Sequence, residues 1–538
     1  MGRWKALLVL GIAQFLMVLD SAVMNVSIST LVEDFDTDVT VIQGVITMYA
    51  LVMAAFMVTG GKVGDLLGRR RAFVVGMVVY GCGSALTAVA PTVGALALGW
   101  SVLEGLGAAL VMPALAALVA GNYEGRDRAT AYAVIGGLAG AGVAVGPLLG
   151  GWVTTNLTWR LVFAGEVVLV VVALLLTGWI RDVGRAEPRP HIDGVGIVLS
   201  ASGLAVAVYG VLQSATWGWL APRSAPFEVL GFAPTPFVIG AGLALLWAFA
   251  AWQRRREGQG RDPLVRMALL VVPPLRAGLT TQLAQTLILL GFFFAIPLYL
   301  QVVQGLDAFE TGIRLLPVSV TMLLASLSGP LLSRWASPRT VVRLGLGTLV
   351  AGGALLLGTI DPVLDDGAFA VAMAVIGTGN GLIVSQLGNV LQSSVDDQAR
   401  SEVGGLQYTA QQLGAAIGTA FIGAVAIGAL ASAFLGNVEA SALSAATEDR
   451  VTVQIEAGVG YVPVEAVEQA ATDAALPPDE VDELVEDYAD AQLGGLRAGV
   501  LAGVAVALVA LGSTPHLPSR RPRPEAEEAP AGAGATSP

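Results

Sequence analysis

Long apolar stretches without a single charged side chain constrain this chain more than any other feature. Residues 72–103, 129–159 and 403–438 contain no Asp, Glu, Lys or Arg. A helix needs about 20 mainly apolar residues to cross the hydrocarbon core of a bilayer. We therefore expect an all-α integral membrane protein with fourteen spans. Their predicted positions are 6–30, 42–60, 72–90, 93–120, 129–152, 160–180, 194–213, 229–252, 278–303, 312–333, 341–360, 367–391, 403–435 and 495–514.

The distribution of arginine and lysine predicts the orientation of these spans. With residue 1 on the cytoplasmic side, only five of the 29 basic residues fall in outer segments. Basic residues accumulate in cytoplasmic loops, so this orientation is the favoured one. Both termini of a multi-pass protein of the cell (inner or plasma) membrane then lie in the cytoplasm. Residues 515–538, rich in Pro, Ala and Glu, are predicted to form a disordered cytoplasmic tail.

The scarcity of cysteine and histidine excludes several kinds of site. Cys82 is the only cysteine, so neither an internal disulfide nor a thiolate metal cluster can form. His191 and His516 are too far apart to give zinc-ligand spacing. The sequence also has no phosphate-binding loop and no nucleophile elbow. We therefore expect no metal, no cofactor, no enzymatic activity, and no nucleotide, nucleic acid or obligate protein partner.

The first predicted span contains a carboxylate, Asp20, in the segment LDSAVMNVS. An ionisable group within the hydrocarbon region is costly and marks a candidate functional site. Burial disfavours the charged form, so the protonation of Asp20 can respond to a proton gradient. Asn25 offers an amide to the same interior and is a candidate residue of the substrate path. The alternative is that Asp20 lies near the end of the span and reaches water.

The loop after the second span, GGKVGDLLGRRRA, combines glycines, one carboxylate and three arginines. Gly61 and Gly68 allow a tight turn, and Asp65 can form a charge-assisted contact with Arg69 or Arg71. Such a contact can break and re-form as helices move, so we interpret the loop as a gate. The alternative is a positively charged anchor at the membrane surface.

The fifth span contains a face of small residues in the segment GAGVAVGPLLGG. Gly142, Gly146 and Gly150 are four residues apart, and such small faces let a second helix approach closely. Pro147 removes a backbone donor and can bend the span, and Gly151 adds a further small position. We interpret this segment as a helix-packing motif.

These three segments resemble motifs of the fourteen-helix drug:proton antiporters of the major facilitator superfamily. The loop is similar to the superfamily's cytoplasmic gate. The glycine face is similar to its antiporter motif GxxxGPxxGG, and the segment around Asp20 is similar to the family stretch LDxTVVNVALP. The resemblance implies a major facilitator fold, with two six-helix bundles plus two additional central transmembrane helices. It also implies alternating access driven by a proton gradient.

Two acidic residues depart from that pattern. Ser101 and Glu104 stand where the family usually has Arg and Gln, and Glu166 stands where Asn is usual. Carboxylates that share a low-dielectric site cannot all be ionised. We therefore expect proton coupling at Asp20, Glu104 and Glu166, together with attraction of a cationic substrate. Alternatively, Glu104 or Glu166 faces an outer vestibule and stays solvated.

The second half of the chain offers uncharged candidates for the substrate path. Gln407 and Gln411 fall on one predicted helix, and Phe293 and Tyr299 fall in the ninth span. Amides can hydrogen-bond a substrate, and aromatic rings can contact a flat lipophilic ligand. Helix–helix contacts and ordinary packing are the alternative uses of these side chains.

The resemblance also predicts the domain organisation. An N-terminal six-helix bundle (1–190) is followed by two inserted helices (191–256) and a C-terminal bundle (257–514). An acidic extracellular loop at 436–494 holds fourteen acids and one base, in a chain of net charge −12. We expect a solvated outer cap with an amphipathic helix that leads into the last span. Attraction of cations to the mouth is the alternative.

Together these features predict a proton-coupled secondary transporter that exports lipophilic, cationic drugs or toxic compounds. Its expected partners are a small-molecule substrate, protons and the lipid bilayer, and its energy source is the proton gradient rather than a cofactor. One alternative is a dedicated exporter of a single endogenous metabolite or antibiotic. Another is a non-transporting membrane sensor on the same fold.

Overall fold

The computed structural model describes residues 4–123, 125–182, 193–222, 225–395, 400–441, 443–444, 447–448, 451–452 and 460–519. These residues form helices and one isolated bridge between Val229 and Phe232, so the all-helical prediction is confirmed. Thirteen helices are long and apolar enough to cross a membrane. The fifth predicted span corresponds to a further helix, Gly125–Asn156, some of whose side chains lie outside the described set.

The helices are numbered here in chain order. They are α1 Lys5–Val26, α2 Ile28–Asp34, α3 Val39–Leu67, α4 Arg69–Ala88, α5 Val93–Leu96, α6 Gly105–Asn122, α7 Gly125–Asn156, α8 Arg160–Leu176, α9 Gly194–Trp217, α10 Thr235–Gly258, α11 Pro273–Leu298, α12 Ala308–Leu327, α13 Gly329–Trp335, α14 Pro338–Leu357, α15 Asp366–Ser393, α16 Arg400–Ala440, α17 Val464–Asp473 and α18 Pro478–Leu511. A π-helical segment, Ala97–Glu104, joins α5 to α6, and a second one, Tyr299–Val303, follows α11.

Local chemistry explains several helix ends. The first predicted span, 6–30, is interrupted at Ser27, whose hydroxyl donates to the Val23 carbonyl at 3.0 Å. Side-chain bonds of this kind compete with the helical backbone pattern. Gly68 has a φ of 94° and turns the chain between α3 and α4. Asp307 begins α12 through a capping box with Glu310.

The two halves of the protein meet along two helix pairs, α3 with α16 and α7 with α12. At the predicted outer end of the second pair, a Cβ on Gly151 would lie 2.2 Å from the Ala308 carbonyl oxygen, so the approach requires glycine. The Phe309 N–H donates to Thr155 Oγ1 at 3.2 Å beside it. The seam between α7 and α12 is therefore closed at this end.

The inserted helices α9 and α10 are central in the chain but peripheral in space. They pack against each other, and α9 also contacts α3 and α16. Trp247 on α10 is 75% exposed, and several neighbouring apolar side chains are exposed to a lesser degree. In a bilayer this surface of α10 faces lipid.

The acidic segment, which is predicted to lie outside, contains a folded region rather than only a solvated loop. Helix α18 runs without a break from Pro478 to Leu511, so the amphipathic helix predicted before the last span is present. The Tyr488 hydroxyl donates to the Gly460 carbonyl at 2.8 Å and accepts from the Val462 N–H at 2.9 Å. These bonds hold the segment that precedes α17 against α18.

The first residues of the predicted tail pack against the rest of the protein. The Arg339 guanidinium donates to the Leu517 carbonyl at 2.7 and 2.9 Å, and its backbone N–H donates to Pro518. These bonds hold residues 514–518 against the start of α14, a long-range contact that composition does not reveal. The remainder of the predicted tail, 520–538, lies outside the described residues.

Candidate functional site

Three carboxylates from three helical segments meet inside the N-terminal half. Asp20 lies on α1, Glu104 ends the π-helical segment and Glu166 lies on α8. One oxygen of each lies within 4.8 Å of the others, and each residue is at most 1% exposed. The structure therefore brings the three predicted coupling residues together, and it buries Glu104 and Glu166 rather than placing them in a solvated vestibule. We call these three residues the carboxylate cluster.

The packing of α4 against the π-helical segment positions Glu104. A Cβ on Gly83 would lie 2.6 Å from Glu104 Cγ, so glycine at this position leaves room for the acidic side chain. Segments of π-helix are frequent at functional sites. Ser101, in the same segment, donates its hydroxyl to the Val45 carbonyl at 2.7 Å. The position that the resembling family fills with Arg therefore carries no charge and contacts α3 instead.

Neutral donors serve two of the three carboxylates. Trp100 Nε1 donates to Asp20 Oδ1 at 2.7 Å. Ser84 Oγ and Tyr80 OH donate to Glu166 Oε2 at 3.1 and 3.4 Å. Bonds of this kind can stabilise a negative charge. None of the three donors was predicted from the sequence. The feature that could have indicated them is a side chain with an N–H or O–H group inside an apolar span.

Four oxygens of the carboxylate cluster have no hydrogen-bond partner among the described residues. They are Asp20 Oδ2, both Glu104 oxygens and Glu166 Oε1. No ion pair between described residues includes any of the three. Two charged carboxylates repel by about 4 kcal/mol at roughly 4 Å and an effective dielectric constant of about 20, so the three cannot all be ionised.

The same geometry could hold a metal ion, a possibility that the sequence did not indicate. Among the described residues, this cluster is the only group of three or more acidic, Cys or His side chains whose ligand atoms lie close enough together.

Arg160 lies at the start of α8 but is engaged elsewhere. Its guanidinium pairs with Asp34 and donates to the Ala90 carbonyl at 3.1 Å. Trp159 Nε1 donates to the same Asp34 carboxylate at 3.1 Å. These contacts brace the predicted outer end of the N-terminal half, and they leave Glu166 without a basic partner in the described part of the chain.

Amides connect the two halves of the molecule. Gln43 Nε2 on α3 donates to the Thr419 carbonyl on α16 at 2.7 Å. Gln301 Nε2 donates to the Val26 carbonyl at 2.8 Å, and its amide oxygen accepts from Ser29. Gln43 was not predicted, because an uncharged amide in a span carries little signal by itself.

The predicted residues of the substrate path lie in different environments. Gln407 and Gln411 are half-buried on α16, the helix that packs along α3, whereas Phe293 is buried. The Tyr299 hydroxyl donates to the Thr359 carbonyl at 3.1 Å. Tyr299 is therefore held to the segment that follows α14, and its contact with a substrate remains a prediction.

The C-terminal half contains a buried cluster of amides that the sequence did not reveal. Gln285 Nε2 on α11 donates to Asn380 Oδ1 on α15 at 3.0 Å, and Gln282 Nε2 donates to Gln285 Oε1 at 3.0 Å. Within the described residues, the polar interior of this half is thus neutral, whereas that of the N-terminal half is acidic.

The predicted gate loop is only partly described. Gly61 lies within α3, and Arg71 is exposed. Arg69 begins α4, and a Cβ added to Gly64 would lie 3.5 Å from its Nη1. The side chains of Asp65 and Asn25 lie outside the described residues. The latch at Asp65 and the role of Asn25 therefore remain predictions.

The glycine face of α7 packs as a close-contact surface. Its members face α1 at three positions and α12 at the fourth: Gly142 against Val18, Gly146 against Ala22, Gly150 against Val23 and Gly151 against Ala308. Pro147 lies within the helix, and its carbonyl lies against Gly312 of α12. The segment thus holds α1, which carries Asp20, and α12 against the same helix.

Comparison with known proteins relates this architecture to one superfamily. A family model described as Major Facilitator Superfamily matches residues 10–419. The puromycin resistance protein of Streptomyces alboniger is 33% identical, with 86% of this chain and 90% of that protein covered. The tetracenomycin C resistance and export protein of Streptomyces glaucescens is 27% identical over 94% of this chain and 90% of its own length. A multidrug efflux pump of Mycolicibacterium smegmatis is 29% identical, with 78% of this chain and 80% of that protein covered.

Solved structures show the same fold. A bacterial homologue of the human lysosomal transporter Spinster superposes with a TM-score of 0.59 at 15% identity, covering 96% of this chain and 98% of that one. A bacterial homologue of the human peptide transporters PepT1 and PepT2 superposes with a TM-score of 0.53 at 16% identity, covering 96% and 99%.

Proposed function

This chain belongs to the major facilitator superfamily, and we propose that it is a proton-coupled antiporter that exports lipophilic, cationic drugs or toxic compounds. Membership makes it a small-molecule transporter of the membrane rather than an enzyme. The carboxylate cluster carries the proposal, because it is a buried set of proton-accepting groups with no ion pair among the described residues. The names of three relatives, for puromycin resistance, tetracenomycin C resistance and export, and multidrug efflux, support the drug class.

In the proposed cycle, the cluster takes up protons when it opens to the outside and releases them to the cytoplasm. In the conformation described here, Asp20, Glu104 and Glu166 are sealed from water, which prevents a proton leak between the two openings. When a proton leaves, the negative charge that remains attracts a cationic substrate from the cytoplasmic side.

The remaining features fit the same cycle. Closing of the seam between α7 and α12 at Gly151 separates the interior from the outside, and the loop with Asp65, Arg69 and Arg71 would act at the opposite end. The arginine distribution supports a cell-membrane orientation with both termini in the cytoplasm.

The test is dye export by purified protein in liposomes with an imposed pH gradient. Asp20→Asn removes the proton-accepting group but preserves its size, so we expect gradient-driven export of ethidium to stop while folding is retained. Asp473→Asn, an exposed acid at the end of α17, is the matched control and should export dye normally. Undiminished export by Asp20→Asn would reject Asp20 as a coupling residue.

A dedicated exporter of one metabolite is the second candidate. It is favoured by relatives that are named for a single compound, the tetracenomycin C protein and a probable actinorhodin transporter of Streptomyces coelicolor, which is 30% identical over 83% of this chain. A panel of unrelated cationic dyes and aromatic antibiotics in the same liposomes separates the two, because a dedicated exporter transports one structural class only.

A further inference from the structure

The hydrogen bonds around the carboxylate cluster are unevenly distributed. Asp20 accepts one bond from Trp100, and Glu166 accepts two from Ser84 and Tyr80. Glu104 is fully buried, and neither of its oxygens accepts a well-formed hydrogen bond from a described residue, although Ser84 and Tyr80 lie beside it. A buried ionised carboxylate without donors or a counter-ion is strongly disfavoured. A protonated carboxyl, by contrast, donates its O–H to a neighbouring carboxylate oxygen. Glu104 is therefore the member best suited to hold a proton.

One proton is not sufficient for this cluster. With Glu104 neutral, Asp20 and Glu166 would still place two negative charges in a sealed site without an ion pair among the described residues. A second proton reduces the charge to one. It also supplies a second O–H donor for the oxygens that lack partners, Asp20 Oδ2 and Glu166 Oε1.

Among the residues that the structure describes, the groups that face the cluster from the surrounding elements are neutral. They are Tyr49 on α3, Tyr80 and Ser84 on α4, and Trp100 on the π-helical segment. The Tyr49 ring stacks on Trp100 with 4.5 Å between centroids. Its buried hydroxyl faces Asp20 and makes no well-formed hydrogen bond to another described residue. Tyr49 can thus donate to Asp20 after that residue has lost its proton.

We propose that the carboxylate cluster holds two protons in the sealed conformation and exchanges both of them in each transport cycle. This inference rests on the proposed antiport function. The balance for a monovalent cationic substrate is two protons inward and one cation outward, so one net positive charge enters per cycle. An inside-negative membrane potential therefore drives export even without a pH gradient.

The stoichiometry is measured from the substrate gradient at which net flux stops. In liposomes with the potential clamped at zero and a proton gradient of one pH unit, two protons per ethidium support a gradient of about 100-fold, and one proton supports about tenfold. The wild-type protein should reach about 100-fold and should also respond to a potassium-diffusion potential at equal pH. A gradient of tenfold with no response to potential would overturn the proposal. Absence of ethidium export under any gradient would instead reject the antiport function itself.

Glu104→Gln provides the matched variant, because the amide keeps the size and can still donate to neighbouring oxygens. We expect export to persist with a limiting gradient of about tenfold and no response to potential. Glu468→Gln, an exposed acid on α17, is the control and should keep the wild-type ratio. If Glu104→Gln does not fold, the wild-type measurement still decides the stoichiometry. Export driven by a sodium gradient at equal pH would show that the cluster takes an inorganic cation and would also overturn the proposal.

Discussion

The Trp100 indole on the π-helical segment donates a 2.7 Å hydrogen bond to the Asp20 carboxylate on α1, across a sequence separation of 80 residues. Trp100 is 1% exposed and also stacks on Tyr49, so its ring is held in place from two sides. A single tryptophan thus links three segments of the N-terminal half to the ionisable group of the first span.

Replacement of this donor should impair transport. Trp100→Phe keeps the stacking surface but removes the N–H, and loss of a hydrogen bond to a charged group costs about 1.5–3 kcal/mol. We expect ethidium export in liposomes to fall about tenfold or more, with little loss of folded protein. Trp152→Phe, at a half-exposed position on α7, should export at the wild-type rate. Equal rates for the two variants would show that the indole does not serve Asp20.

Closing of the outer seam depends on glycine at residue 151. In Gly151→Ala the new Cβ meets the Ala308 carbonyl at 2.2 Å, and overpacking of this kind costs about 1–3 kcal/mol. The closed conformation should lose population about tenfold. The measurement is maleimide labelling at Thr311→Cys, a buried position of α12, in a Cys82→Ser background. Labelling should rise in Gly151→Ala but not in Gly165→Ala, where a Cβ meets nothing within 4 Å.

Asp193 gives a pH-dependent contribution to stability at the start of α9. Burial would raise the pKa of Asp193, but donation from the Gly196 N–H, Trp252 and Gln253, with the nearby Arg256 charge, outweighs burial and lowers that pKa below its ordinary value of 3.8. A lowered pKa in the folded state stabilises the protein above the unfolded-state pKa, and this stability is lost as pH falls through the folded-state value.

Asp193→Asn should therefore destabilise the protein at neutral pH. The amide nitrogen would face the Trp252 and Gln253 donors, at a cost of about 1–3 kcal/mol. Thermal unfolding in detergent should show the deficit at pH 7, and the gap to wild type should narrow in acid as Asp193 itself becomes protonated. A gap that widens in acid would contradict this account. Asp473→Asn serves as the control at both pH values.

The acidic segment 436–494 should contribute little to transport if it is a solvated outer cap. Four of its exposed acids can be neutralised together as Glu465→Gln, Glu468→Gln, Asp473→Asn and Glu486→Gln. At physiological salt, charges more than about 8 Å from a ligand are largely screened, so export of a cationic dye should stay within about twofold. A large loss that appears only at low salt would instead support attraction of cations at the mouth.

Much of the fold followed from local patterns. Backbone groups in a bilayer have no water to bond, so spanning segments are helices or strands of a closed barrel. Uncharged runs such as 403–438 are far longer than a transmembrane strand, which favours a helix. The ends of the helices and of the folded region were harder to predict from the sequence. The end of α1 at Ser27 and the anchoring of Leu517 by Arg339 depend on hydrogen bonds that composition does not reveal. The same holds for the site: the sequence identified the acids Asp20, Glu104 and Glu166 because they lie in apolar spans. It did not identify the side chains that donate hydrogen bonds to them.

The sequence by itself determined which segments enter the membrane, which carboxylates enter with them and which helix faces are small enough to pack closely. These properties follow from residue type and spacing, since transfer energies and helical periodicity are local. Only the tertiary structure decided that Asp20, Glu104 and Glu166 share one sealed site and that Trp100, Ser84 and Tyr80 serve two of them. It also decided that neither Glu104 oxygen has a well-formed hydrogen bond within the described part of the chain. Helices far apart in sequence supply these groups, so their distances, burial and number of donors arise from long-range packing.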